Sequence, residues 1–331
     1  MKTRAITQLL CAILTAALWL SLGTVPASAD NGPHVSTAGQ LTDRCAGCHR
    51  LHTGKAPMLL VQPEPALCYT CHGAGATGAS TDVQEGLGFG NVYPSTARGA
   101  AVGALRGGGF EYALIDSAHP AGQKSTQSNL TGNVPVLSSG TEVTSTHSID
   151  GSDATAWGNG PVSTTPNAGT TIQLLCTSCH DPHGNGSYRI LRPIPSQSGA
   201  ATGVTIADAT TKVYTTTNYW EAWDSNNMVS ESPFVLPSAW CSQCHTRYRA
   251  GAGAGSKFPS ADAVYKYRHR SNDDGPGTPT CVQCHVAHGS NATMGPYSSA
   301  LANPGGTPGT PGDSRLLRID NRGTCQMCHN R

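Results

Sequence analysis

Residues 176–184 read Cys-Thr-Ser-Cys-His-Asp-Pro-His-Gly, and residues 281–289 read Cys-Val-Gln-Cys-His-Val-Ala-His-Gly. Each is a Cys-x-x-Cys-His run with a second histidine three places on. The shorter run occurs six times in the 331 residues: Cys45/Cys48/His49, Cys68/Cys71/His72, Cys176/Cys179/His180, Cys241/Cys244/His245, Cys281/Cys284/His285 and Cys325/Cys328/His329. These copies use 12 of the 13 cysteines. The thirteenth, Cys11, lies in an apolar run near the start of the chain.

Cys-x-x-Cys-His is the attachment signature of c-type haem. Two thiols three positions apart lie on one side of a helical turn and can add to the two vinyl groups of a porphyrin. The next histidine then lies under the ring and supplies the proximal nitrogen to iron. Other uses of paired cysteines fit less well. A disulfide scaffold needs no histidine after every pair. Six four-ligand zinc sites would need more cysteines than exist unless histidine made up the remainder, and a redox dithiol rarely recurs six times. The sequence therefore predicts six covalent haems c.

Six proximal histidines leave seven others: His34, His52, His119, His147, His183, His269 and His288. Seven candidates cover six open iron faces with one to spare, and His119, followed by Pro120 in a Gly-rich stretch, is taken as the spare. Distal ligands are thus expected at His34, His52, His147, His183, His269 and His288. Met58, Met228 and Met294 are not required. Two imidazoles close both faces of an iron, which suits electron transfer and leaves no place for a substrate. The reading is therefore a non-enzymatic electron-transfer protein with no catalytic residues. Three pairs, His49/His52, His180/His183 and His285/His288, sit at i and i+3. If helical, their Cβ atoms would be about 5–6 Å apart. That is too close to bind opposite faces of one iron, so each second histidine must serve a different haem and hold two porphyrins together.

Lys2 and Arg4 precede an apolar run from about Ile6 to Gly23, and Ala27-Ser28-Ala29 follows. This is the pattern of a secretory signal over 1–29, cut after Ala29. An uncleaved anchor fits less well, because Thr15 and Ser21 interrupt the run. No later stretch reaches the roughly 20 apolar residues of a membrane helix. Without residues 1–29 the balance is 19 Lys+Arg against 20 Asp+Glu, which argues against a nucleic-acid partner.

Residues 30–331 are read as a single unit organised by haem. Only 4 Phe and 5 Trp accompany 39 Gly and 22 Pro, so porphyrin faces must supply much of the apolar core. The expected fold is mostly irregular coil, with short helices at the motifs and few short strands. Residues 73–175 read as long wrapping with short strands. Strand-like patches stand at Val213–Thr217 and Thr171–Leu174, helical turns at Ala239–Arg249 and Gly323–Asn330, and a loop at Pro304–Pro311. No clean tandem repeat is evident.

The order of single and doubled motifs from Cys45 to His329 resembles the hexahaem outer-surface cytochromes of the outer-membrane cytochrome S type, which polymerise into extracellular conductive filaments. The resemblance implies a continuous stack of alternating parallel and T-shaped bis-histidine haems in a coil-rich protomer. It also implies a homopolymer in which His52 ligates a haem, the fifth, of the neighbouring subunit. The fourth motif departs from the pattern by continuing Thr246-Arg247-Tyr248, with no nearby histidine. The expected function is electron conduction to external acceptors or redox partner proteins, from a secreted, extracellular or cell-surface position, with the periplasm as the alternative. A monomeric exported shuttle or docked redox subunit would share the same haems. A multihaem nitrite- or hydroxylamine-type reductase would need an open iron, and the histidine surplus argues against one.

Overall fold

The spacing of Cys-x-x-Cys-His closes one helical turn, and the backbone does so here. The N–H of the motif histidine reaches the carbonyl of the first cysteine from His49 to Cys45 (2.8 Å), His180 to Cys176 (3.0 Å), His245 to Cys241 (3.1 Å) and His285 to Cys281 (2.9 Å). The computed structural model describes residues 34, 42–76, 79–89, 99, 101–113, 141–160, 167–207, 236–249, 280–292, 303, 309–310 and 312–318. The signal segment, the Val213–Thr217 patch, the Gly323–Asn330 turn with the sixth motif, His119 and His269 lie outside these residues. So does most of the Pro304–Pro311 loop.

Helices are short and sit at the motifs: α1 (Thr42–Cys48), α2 (Ala66–His72), α3 (Cys176–Cys179), α4 (Pro237–Cys241) and α5 (Cys281–Cys284). Side chains cap the shortest ones. Ser178 Oγ accepts the Leu175 N–H, and Gln283 Oε1 accepts the Thr280 N–H. The Glu64 carboxylate takes both the N–H and the hydroxyl of Thr177 at 3.0 Å, where a helix N-terminus favours negative charge. The helix expected over Ala239–Arg249 is shorter and earlier. It opens on Pro237, which suits a first helical position, and breaks after Cys241 into turns and a 3-10 segment, Thr246–Tyr248.

Strands fill the long stretch between the second and third motifs: β1 (Thr81–Asp82), β2 (Leu87–Phe89), β3 (Ala101–Ala104), β4 (Tyr112–Ala113), β5 (Thr141–Glu142), β6 (Ser145–Thr146), β7 (Asp153–Trp157) and β8 (Gly169–Gln173). β8 is the strand expected at Thr171–Leu174. β1-β2-β3 form a small antiparallel sheet, β4 pairs with β5, and β7 pairs with β8 from Asp153↔Gln173 to Trp157↔Gly169. The last strand, β9 (Gly289–Ser290), pairs antiparallel with β6 and so brings His147 beside the fifth motif. The fold is coil-rich, as the composition implied.

Packing among side chains is thin. Ten apolar residues are buried among those described, the best clustered being Ala156/Ile172/Leu174 and Leu191/Ile206. The second cluster gathers Cys179, Tyr188, Trp240 and Val282 around it. No helix among the described residues is long and apolar enough to cross a membrane.

The structure corrects two sequence-based expectations. First, the doubled motifs are not helical between their histidines. His180 and His285 have extended backbones (φ −109°, ψ 146° and φ −114°, ψ 154°), and a turn follows the first of them. Second, a repeat exists. After each doubled motif the chain returns through one local structure, at Pro57–Leu60, Tyr188–Leu191 and Ser314–Leu317. The motif histidine bridges to the last leucine in all three: His49↔Leu60, His180↔Leu191 and His285↔Leu317. The carbonyl of the second motif cysteine accepts the next N–H along, from Val61 (2.9 Å), Arg192 (2.8 Å) and Arg318 (2.9 Å).

Each return holds two successive non-glycine residues in the left-handed region: Met58/Leu59 (φ 61°, 59°), Arg189/Ile190 (50°, 52°) and Arg315/Leu316 (54°, 60°). Such a residue costs about 1–2 kcal/mol, so three repetitions call for a reason. Met58 is 82% exposed, and its strain can be tested without disturbing packing. The thermal midpoint of Met58→Gly should equal or exceed that of the unmodified protein, while that of Met58→Val, whose β-branch tolerates this region less than methionine does, should fall. A valine variant as stable as the parent would contradict the strain.

Candidate functional site

The left-handed turns aim a carbonyl at the motif histidine. His49 Nδ1 bonds to Met58 O at 2.9 Å, His180 Nδ1 to Arg189 O at 2.9 Å and His285 Nδ1 to Arg315 O at 3.1 Å. A carbonyl can only accept, so Nδ1 carries the hydrogen and Nε2 presents its lone pair. In the second and fourth motifs the Nδ1 partner stands on a strand. His72 Nδ1 meets Thr81 Oγ1 on β1 at 2.9 Å, and His245 Nδ1 meets the Trp157 carbonyl at the end of β7 at 2.5 Å.

Two histidines outside the motifs follow the same pattern. His34 Nδ1 donates to Pro182 O at 2.7 Å, and His147 Nδ1 donates to Ala287 O at 2.6 Å. Both acceptors lie between the two histidines of a doubled motif, at equivalent positions. His288 Nδ1 lies 3.3 Å from Gly108 O, and His183 Nδ1 is 3.8 Å from Asp181 Oδ1. His52 is exposed, with no hydrogen-bond partner among the described residues.

The rings come together in four pairs. Their centroids are 6.2 Å apart for His49/His183, 6.1 Å for His34/His72, 6.5 Å for His180/His288 and 6.3 Å for His147/His245. Other ring contacts of these histidines span the range, Phe110 standing 4.6 Å from His288 and Tyr248 6.1 Å from His245. Two imidazoles on opposite faces of one metal, each nitrogen at about 2.0 Å and each centroid about 1.1 Å beyond it, stand about 6.2 Å apart. Every pair matches that distance, and four pairs join a motif histidine to one of the expected distal histidines. No pair joins the two histidines of one doubled motif, as their i, i+3 separation required.

The proton equilibria favour the ligating form. Burial pushes His245 down to about 4 and His288 to about 3, and it lowers His147 and His180. At neutral pH these rings are uncharged, with a free lone pair. Successive motifs also lie side by side. Cys68 and Cys176 are in contact, the hydrogen bond between them holding Cys68 down and Cys176 up. Their sulfurs and a Glu64 oxygen lie within 4.8 Å of one another. Burial raises Cys179 to about 12, with a further contribution from nearby Cys244 of the fourth motif.

Residues 38–77 match the family described as the doubled CXXCH motif. The match indicates a multihaem c-type cytochrome. No curated protein and no solved structure matches the chain. The matched residues hold the first two motifs, and the match supports covalent haem c and electron-transfer chemistry there.

Sequence reasoning missed the residues that orient the rings, because most act through backbone carbonyls. One signal was available. Met58-Leu59-Leu60, Arg189-Ile190-Leu191 and Arg315-Leu316-Leu317 share a pattern ending in leucine after a doubled motif. The pairing itself makes a specific prediction. His183→Ala should convert one low-spin iron per chain to high-spin in the ferric spectrum, with the haem content unchanged. An unaltered low-spin signal would contradict a metal between His49 and His183.

Proposed function

We propose that this cytochrome conducts electrons through six bis-histidine haems c and works as the subunit of an exported, extracellular filament. The observation that carries the reading is the set of four imidazole pairs at 6.1–6.5 Å, in each of which the motif histidine is hydrogen-bonded through Nδ1. Bound haem supplies one-electron ferric/ferrous chemistry, with no coordination position left for a substrate.

The chain's part is to bind and orient. Cys45 and Cys48 hold the first haem, between His49 and His183. Cys68 and Cys71 hold the second, between His72 and His34. Cys176 and Cys179 hold the third, between His180 and His288. Cys241 and Cys244 hold the fourth, between His245 and His147. Cys281, Cys284 and His285 hold the fifth. Cys325, Cys328 and His329 hold the sixth, for which His269 is the remaining distal ligand and His119 the spare.

The fifth centre supports assembly. His183 of the third motif faces His49 of the first, and His288 of the fifth faces His180 of the third. Each second histidine thus reaches back by two motifs. Applied to His52, the rule calls for a motif earlier than Cys45, and a second copy of the chain offers its fifth. A head-to-tail contact of this kind does not close on itself, and it propagates as a filament. The exposed Leu51, Met58 and Leu59 lie around His52 in sequence, at 80%, 82% and 48% exposure.

Two measurements test the reading. The intact mass of the native protein, less signal residues 1–29, should exceed that of the polypeptide by six haems, and a smaller increment would contradict the count. Electron micrographs of secreted material should show filaments that His52→Ala reduces to discrete particles with the same haem content. Discrete particles from the unmodified protein would leave the monomeric shuttle as the function.

A further inference from the structure

The long stretch between the second and third motifs carries a run, Arg106-Gly107-Gly108-Gly109-Phe110, that closes around His288. The His288 N–H donates to Gly107 O at 2.7 Å. Gly107 passes so close that a Cβ there would stand 3.2 Å from His288 Nδ1. Gly108, at φ +71°, bridges to Gly289, where a Cβ would strike the Gly289 carbonyl. The run delivers Phe110, anchored by its N–H to Val83 O at 2.8 Å. Its ring lies 4.6 Å from the His288 imidazole, inclined by 26°.

His288 needs such a support. Its Nδ1 contact to Gly108 O, at 3.3 Å, is longer than the 2.5–3.1 Å contacts that fix His34, His49, His72, His147, His180, His245 and His285. A hydrogen bond that long leaves the ring free to rotate, and a stacked aromatic face does not. The His180/His288 pair is also the most inclined of the four, at 57°, against 12°, 27° and 45°.

We propose that Phe110 is a positioning residue that sets the plane of the His288 imidazole and thereby the tilt between the two axial rings of the third centre. The proposal rests on the ligand pairing proposed above. Ring orientation imposed by neighbouring groups tunes a ligated metal. Near-parallel axial imidazoles split the iron d orbitals rhombically, whereas inclined ones suppress that splitting and give a strongly anisotropic ferric signal with a large maximum g value.

Low-temperature electron paramagnetic resonance of the ferric protein reads this directly. The unmodified protein should show one large-g low-spin signal that Phe110→Leu moves toward the rhombic region, leaving the other signals in place. Phe110→Tyr, which keeps the stacking face, should retain it. A Phe110→Leu spectrum identical to the parent's would overturn the proposal. His288→Ala separates the two levels. If it fails to turn one iron high-spin, the ligand pairing itself is wrong. If it does so while Phe110→Leu changes nothing, the pairing stands and only the role of Phe110 falls. Haem content by mass in each variant shows that the chain has assembled around its cofactors.

Discussion

The hydrogen bond from imidazole Nδ1 to a fixed oxygen is the contact on which the rest of this architecture depends. Where the oxygen is a carbonyl it selects the tautomer, leaving the Nε2 lone pair free, and it restrains the plane of the imidazole. The strained left-handed turns at Met58/Leu59, Arg189/Ile190 and Arg315/Leu316 make sense in this light, since each presents a carbonyl that an unstrained turn would direct elsewhere. Backbone strain of this kind persists only where the surroundings hold it. Here the holding contacts are the bridges to Leu60, Leu191 and Leu317 and the N–H bonds into the second-cysteine carbonyls.

The same bond links one motif to the next. His34 and His147 are tied to Pro182 and Ala287, each inside a doubled motif, while their rings face His72 and His245 of the motif before it in the chain. A doubled motif therefore contributes to more than one ring pair. His183 and His288 reach back by two motifs, and the Pro182 and Ala287 carbonyls steady the distal ring of an even one. With ten buried apolar side chains among the described residues, these histidine contacts carry continuity between motifs that a thin hydrophobic core does not.

The motifs were legible because covalent attachment requires particular residue types at a particular spacing. Elimination names the candidate distal histidines, and four of them, His34, His147, His183 and His288, each stand beside a motif histidine in the structure. What held them was not legible, because a backbone carbonyl has the same chemistry in every residue. Helical reasoning for the doubled motifs assumed the wrong conformation: His180 and His285 are extended, and His183 and His288 stand beside the rings of other motifs, His49 and His180. The repeat was hidden by unequal loops. The return follows the first and third motifs closely, at Pro57 and Tyr188, but after the fifth it waits until Ser314. Composition reads the region between the second and third motifs as wrapping. In three dimensions it supplies Thr81, Trp157, His147 and the Phe110 cradle.

The central claim is that imidazole occupies both faces of every iron, and carbon monoxide tests it most directly. Native assembled protein, reduced without any denaturing step, should show no carbonyl spectrum under the gas. Uptake of one full equivalent per chain would mean that an iron is open and that the protein can bind a small molecule there.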